Sequence, residues 1–233
     1  MELKRAHWNR EDYQEFGGIL LSHGDEGFAE FERRGIPVER PILGVRTPAM
    51  RKMAREIVRG NWQEFLDFEP VSFEELTIRG FVIGLLPYNE MRARLGKFLP
   101  LIDNWATCDM FCATLKSVKQ RREDFLEVIL PMLKGGEFEV RTGLVLLLDY
   151  YVDFDYLQVI FEQVDKVKER EEYYVRMAVA WLLCECYVKY PDETYLYLKQ
   201  NSLPDWILRK TISKINDSYR VMPEEKELIK ELR

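Results

Sequence analysis

Trp105 and Asp109 stand four residues apart in the segment Asp103-Asn104-Trp105-Ala106-Thr107-Cys108-Asp109. On a helix this spacing sets them on one face, one turn from each other. An indole face attracts cations and a carboxylate pairs with them, so the two together suit a ligand that carries positive charge on a flat ring. The same spacing also fits a structural role, with Trp105 as a core aromatic and Asp109 as a buried ion-pair partner of Arg141. Other chemistries have thinner support. Cys108 and Cys112 share a helix face, but no His or further Cys pair accompanies them at ligand spacing. Cys184 and Cys186 diverge by about 200° around a helix, so all four cysteines are expected to be buried thiols and no metal site is expected. A thiol nucleophile has no partnering base. The two histidines, His7 and His23, lie far in sequence from the other candidates. Gly17-Gly18 is too short to count as a phosphate loop.

The elements that must position Trp105 and Asp109 are helices. From Val45 to Gly60 the apolar residues Met50, Met53, Ala54, Ile57 and Val58 follow the spacing of one helix face, with Thr47 expected as N-cap, Pro48 in the first turn and Gly60 as the stop. No strand pattern bounded by hairpin turns recurs, so the fold class is all-α. Four segments line up as repeats, each placing an aliphatic-Arg pair at the opening of an apolar helix. They are Phe73 to Gly84 with Arg79, Phe138 to Leu147 with Arg141, Tyr174 to Leu183 with Arg176, and Ile207 to Ile215 with Arg209. The gaps between these arginines are 62, 35 and 33 residues, so the first spans two units. The missing unit near position 110 is the one that carries Trp105 and Asp109. Second helices are expected near 90–100, 121–134, 154–165 and 192–200. A helix pair at this interval predicts an α-solenoid of HEAT-like repeats with a concave groove.

In such an array residues 79, 109, 141, 176 and 209 form a column along one side. Four arginines in line suit a phosphate backbone, because a guanidinium offers forked donors and permanent charge. Alternatively, each Arg bridges to an acid of the previous repeat, for which Glu74, Glu139 and Glu172 are available. Asp109 is the odd member, since a carboxylate repels phosphate and calls for a local reason.

With 233 residues, 47% hydrophobic and 32% charged, the chain reads as one globular domain over 1–233. Its apolar runs, such as Gly143 to Leu148, fall far short of the ~20 residues of a membrane span. Met1-Glu2-Leu3-Lys4-Arg5 is followed by no apolar segment, and the cysteine usage suits a reducing compartment, so the cytoplasm is expected. The net charge of −6 disfavours nucleic-acid binding unless charge is segregated. Segregation is visible: Arg40 to Arg59 holds six basic residues against the single acid Glu56, and Lys116 to Arg122 holds four with no acid. Each run also reads as an ordinary solvated face.

Four motifs in order resemble the AlkD-like family of DNA alkylation repair glycosylases: Gly44-Val45-Arg46-Thr47-Pro48, Asn104 to Asp109, Val140-Arg141-Thr142, and Met177-Ala178-Val179-Ala180-Trp181. The resemblance covers residues 13 to 220. It implies that Trp105, Asp109, Arg141 and Trp181 line a groove against a damaged nucleotide, with Arg141 on the neighbouring phosphate. It implies hydrolysis of the N-glycosidic bond of cationic N3- or N7-alkylated purines in double-stranded DNA without base flipping. No metal or cofactor is implied, and a monomer is expected. Further backbone contacts are expected from Arg46, Arg51, Arg79, Arg176, Arg209 and Lys210. The sequence departs from the family in having no clear counterpart of its DNA-contacting N-terminal tyrosine, the nearest candidates being Phe28 and Phe31. The alternative function is a non-catalytic HEAT-like module that binds DNA or a protein through the same groove.

Overall fold

The computed structural model describes residues 3–200 and 202–232. The reading of the first five residues rests partly on Met1 and Glu2, which lie outside that range. Among the described residues the chain is helical throughout, with fourteen α-helices, three short 3-10 turns and no strand. It divides into two compact units, one ending at Val118 and the other beginning at Lys119.

The first unit contains α1 (Arg10–Ser22), α2 (Glu26–Arg33), α3 (Thr47–Ile57), α4 (Trp62–Phe65), α5 (Phe73–Leu85), α6 (Tyr88–Phe98) and α7 (Trp105–Cys112). The second contains α8 (Arg122–Met132), α9 (Glu137–Tyr151), α10 (Leu157–Val167), α11 (Tyr173–Lys189), α12 (Pro191–Gln200), α13 (Asp205–Asp217) and α14 (Pro223–Lys230). The repeat-opening helices therefore begin at 73, 105, 137, 173 and 205, a period of 32 or 36 residues. The second helices expected between them are present as α6, α8, α10 and α12, each within three residues of its expected start.

In the first unit α5 is the central helix. Ser72 caps it by accepting the Glu75 N–H, and every residue from Phe73 to Gly84 is buried. A helix buried on all sides has to be covered on all sides, and α3, α6 and α7 pack around it. Gly80 permits the close approach of α6, because a Cβ there would stand 2.9 Å from the Phe98 ring. Trp8, Phe16 and Phe65 close the N-terminal end with edge-on ring contacts at centroid separations of 5.1 to 6.2 Å. In the second unit α11 is central, packed by α9, α12 and α13, with α8 behind α9. Leu144, Leu147, Val179, Leu183, Ile212 and Ile215 fill the space between these helices.

One local expectation changes. Thr47 is the first residue of α3 rather than its cap, and Arg46 occupies the cap position without a side-chain bond to the helix. The Thr47 hydroxyl instead lies 3.8 Å from the Met110 sulfur on α7. The end of the helix is as expected, with Val58 as C-cap shortly before Gly60.

The segment joining α2 to α3 is anchored on α5 by Glu74, which has no solvent exposure. Its carboxylate accepts the backbone N–H groups of Leu43, Gly44 and Val45 at 2.7 to 3.2 Å. Three successive amides can converge on one anion because Gly44 sits at φ +80°, a conformation that costs a side-chain-bearing residue about 1–3 kcal/mol. A Cβ at Gly44 would also run into the Asp25 carbonyl and stand 2.9 Å from the Ala29 nitrogen. Gly44→Ala should therefore lower unfolding free energy by at least about 2 kcal/mol in urea denaturation. A loss below about 0.5 kcal/mol would show that the amide cradle can relax without its glycine.

Candidate nucleic-acid interface

Within the first unit the start of α7 is fixed by Asn104, which is fully buried. Its Oδ1 accepts the Thr107 N–H at 2.8 Å, while its Nδ2 donates to Asp103 Oδ1 and Thr107 Oγ1. Thr107 in turn meets Thr77 of α5 at 3.2 Å. This network sets the rotation of α7, and so the direction of Trp105 and Asp109, both of which are half-buried. The indole N–H of Trp105 donates to the Gly35 carbonyl at 2.8 Å. Its ring packs at the edge of an apolar cluster of Ala29, Ile36, Ile42, Phe73 and Ala106. Trp105 thus packs against the core on one side and stays partly at the surface on the other. Arg40 forms an ion pair with Asp103 beside the cap.

The basic residues of this unit differ in availability. The Arg46 guanidinium lies 3.6 Å above the ring of Phe28, which stacks with the exposed Phe31. Arg51 lies over Phe81 at 4.2 Å and donates to Thr114 Oγ1 at 3.1 Å. Burial, and then the nearby Arg55, pull its pKa down. Arg79 departs from the expected column. It is only 8% exposed and it stands six residues after the start of α5, whereas 109, 141 and 209 stand four after theirs. Two extra residues turn a side chain by about 200° around the helix. Arg79 therefore lies on a different face of its helix from the other members, and it is buried there.

In the second unit Arg141 is also buried, at 5% exposure. It donates to the Tyr174 carbonyl at 3.0 Å, while Glu137, one turn earlier, accepts the Tyr174 N–H at 2.9 Å. Arg176 lies 4.3 Å over the ring of Trp206, against which the exposed Tyr173 packs edge-on. Arg209 is exposed and pairs with Asp205 on its own helix at 2.8 Å. It borders a depression of about 450 Å³ together with Trp206 and Lys210. Two of these arginines thus contact the following repeat, through a backbone carbonyl and an indole. The acids once available for bridging are engaged elsewhere: Glu74 holds the 43–45 amides, Glu139 accepts the Gly136 N–H, and Glu172 pairs with Arg170.

Trp181 lies half-buried further along α11 and borders a cavity of about 490 Å³ with Cys184, Glu185, Lys214, Asp217 and Arg220. Lys214 joins this cavity to the basic cluster. Burial is the largest cause of its lowered pKa, and the charges of Lys210 and Arg141 contribute in the same direction. All four cysteines are buried, and burial pushes the Cys184 thiol up to about 11, away from nucleophilic reactivity. Among the described residues no group of three or more His, Cys, Asp or Glu side chains is placed to hold a metal, and no helix is long and apolar enough to cross a membrane. Sequence reasoning passed over Trp206 and Lys214, and reads Tyr173 as a packing residue near a helix end that could also touch DNA. The available signal was spacing: Trp206 precedes Arg209 by three residues and Lys214 follows Lys210 by four, each pair on one helix face.

Repeated helix pairs that set tryptophans among arginines and lysines define the molecule as an all-helical repeat protein. The chain belongs to the DNA alkylation repair enzyme family, which it matches over residues 19–215. No curated protein matches it.

Glu32 gives this region a pH dependence. Burial, and next the negative charge of Glu74, push its carboxyl up to about 7, against a smaller opposing pull from Arg46. A carboxyl raised in the folded state contributes stability that is full below the ordinary carboxylate range and is lost as pH rises through about 7. Glu32→Gln should melt like wild type at pH 5 and be more stable at pH 8, by on the order of 1 kcal/mol after allowance for solvent screening. A difference that does not change between those pH values would remove Glu32 as its source.

Proposed function

We propose that this family member is a monofunctional DNA glycosylase that hydrolyses the N-glycosidic bond of cationic N3- or N7-alkylated purines in double-stranded DNA, without base flipping. The chain works as one functional domain and as a monomer in the cytoplasm, and needs no metal or cofactor. Supporting this reading are membership of the DNA alkylation repair enzyme family and a half-buried carboxylate one helical turn from a half-buried tryptophan.

The substrate determines what the protein must supply. An alkylated purine already carries its positive charge, so the C1′–N bond breaks with its electron pair going to the ring and the base departs neutral. No acid is needed to protonate it. Both histidines are exposed and lie in the first unit, and neither is assigned a role. Positive charge moves to the deoxyribose ring, where a carboxylate can stabilise it. Water then adds its oxygen to C1′ and releases a proton, leaving a neutral free base and an abasic sugar. Asp109 is assigned the stabilising and water-orienting role.

At ~4 Å and an effective dielectric near ~20, a carboxylate and a unit positive charge attract by about 4 kcal/mol, or roughly a thousandfold in rate. Part of this acts equally on the charged ground state and does not accelerate the reaction. Trp105 and Trp181 hold the lesion and sugar through ring-face contacts worth roughly 0.5–2 kcal/mol each. Arg141, with Arg46, Arg176, Arg209 and Lys210, is assigned to phosphates. Arg51 is left out because Phe81 and Thr114 engage it, and Arg79 because it borders the cavity beside α5 and α6; Arg141 is as deeply buried, and its assignment rests on the family resemblance.

Release of 3-methyladenine and 7-methylguanine from methylated duplex DNA should fall by about 100-fold in Asp109→Asn, with the melting temperature little changed. Equal release by both proteins would take Asp109 out of the mechanism. Release by neither, with DNA binding retained, would favour a non-catalytic DNA-binding module. Arg209→Gln with Lys210→Gln should weaken duplex binding and reduce the salt slope by about two, close to one per lost phosphate contact. An unchanged slope in fluorescence anisotropy would place the DNA elsewhere.

A further inference from the structure

The buried Arg79 borders a cavity of about 430 Å³ beside α5 and α6 in the first unit. Its Nη2 has no hydrogen-bond partner although it is closed off from solvent. Leaving a buried donor of a charged group unsatisfied costs more than the 1–3 kcal/mol of a neutral one, and a shift of this side chain toward the cavity would let an acceptor there offset that cost. Arg94 and Lys97 from α6 border the same cavity, and so do Asp67 and Glu69 from the α4–α5 connection. Arg94 is held in place over the Trp62 ring at 5.1 Å. Glu75, which also lies near Arg79, is taken up by the Tyr13 hydroxyl at 2.8 Å and by the Val71 N–H. Phe98 contributes an apolar wall.

The volume lies within the ~300–1,000 Å³ typical of small-molecule sites. Three cations and two acids border this cavity, a net charge of +1 that favours an anion. The two acids, both exposed, accept hydrogen bonds and repel a second anionic group. A phosphate carried on a hydroxylated body satisfies both conditions, with guanidinium forks on its oxygens and the acids on its hydroxyls. We propose that this cavity binds a small phosphomonoester bearing hydroxyl groups, of the size and chemistry of a pentose phosphate. The site uses none of the residues assigned to DNA repair, so it stands or falls separately from that reading.

Isothermal titration of the full chain with ribose 5-phosphate, and separately with inorganic phosphate, tests the proposal. One saturable site is expected, with ribose 5-phosphate the tighter of the two. Arg79→Met and Lys97→Met should each weaken it about tenfold or more, the size of one charge-assisted contact. Lys97 is exposed, so its variant keeps the test informative whether or not the buried Arg79 variant folds. Asp67→Asn should tighten inorganic phosphate several-fold, because it removes a repelling charge. Absence of saturable binding by both probes would overturn the site. So would binding that Lys97→Met and Arg94→Met leave unchanged, or binding that is lost in Arg209→Gln instead.

Discussion

A single buried anion organises the first unit. Glu74 on α5 is shielded from water and balanced by the amides of Leu43, Gly44 and Val45. Burying a carboxylate without such partners would cost several kcal/mol or force its protonation. The bonds therefore dictate the path of the segment between α2 and α3. From that path follow the two contacts this segment makes with the first turn of α7: the Gly35 carbonyl that receives the Trp105 indole, and the Arg40 ion pair with Asp103. Arg46 follows directly after the held amides and comes to rest over Phe28. The carboxylate thus acts through backbone geometry on side chains it does not touch.

The second unit reaches a similar result with opposite charges on one helix. Glu137 and Arg141, one turn apart on α9, take the N–H and the carbonyl of Tyr174 respectively. Those groups lie in the first turn of α11, where amides have no partner within their own helix. Engaging both fixes the start of α11, and the direction of Arg176 and Trp181 follows from it. Arg141 therefore has a structural duty whatever else it touches. A substitution there must be judged for folding before it is judged for function.

The repeat period, the all-helical class and the missing unit at Trp105 were legible in the sequence because helical periodicity and repeat spacing are local properties. Arg79 was misread for a reason equally local. Aligning arginines by their aliphatic neighbours ignored a shift of two residues relative to the helix start, which puts Arg79 on a different face of its helix from the one Arg141 and Arg209 hold on theirs. Thr47 looked like a cap because threonine before proline commonly is one, yet it is the first residue of the helix and its hydroxyl turns to the Met110 sulfur. Trp206 went unnoticed because only tertiary packing sets Arg176 over its ring. Glu74 was noticed as an acid available for bridging, but its amide partners lie about thirty residues away and no pattern in the chain announces them.

The net charge of −6 and the proposed chemistry can be reconciled by asking what discriminates damaged from intact DNA. Phosphate contacts bind every nucleotide alike and supply affinity without selection. Selection has to come from the lesion, whose distinguishing property is its charge. A half-buried carboxylate beside an indole favours a cationic purine over a neutral one by the sum of two moderate attractions, on the order of a few kcal/mol. A full general acid would add rate, but it would also open a route to protonate and release normal purines. A site that stabilises positive charge without donating a proton leaves those bases attached. On this reading the protection of intact DNA lies in the kind of catalytic group employed, and the shape of a pocket need not provide it.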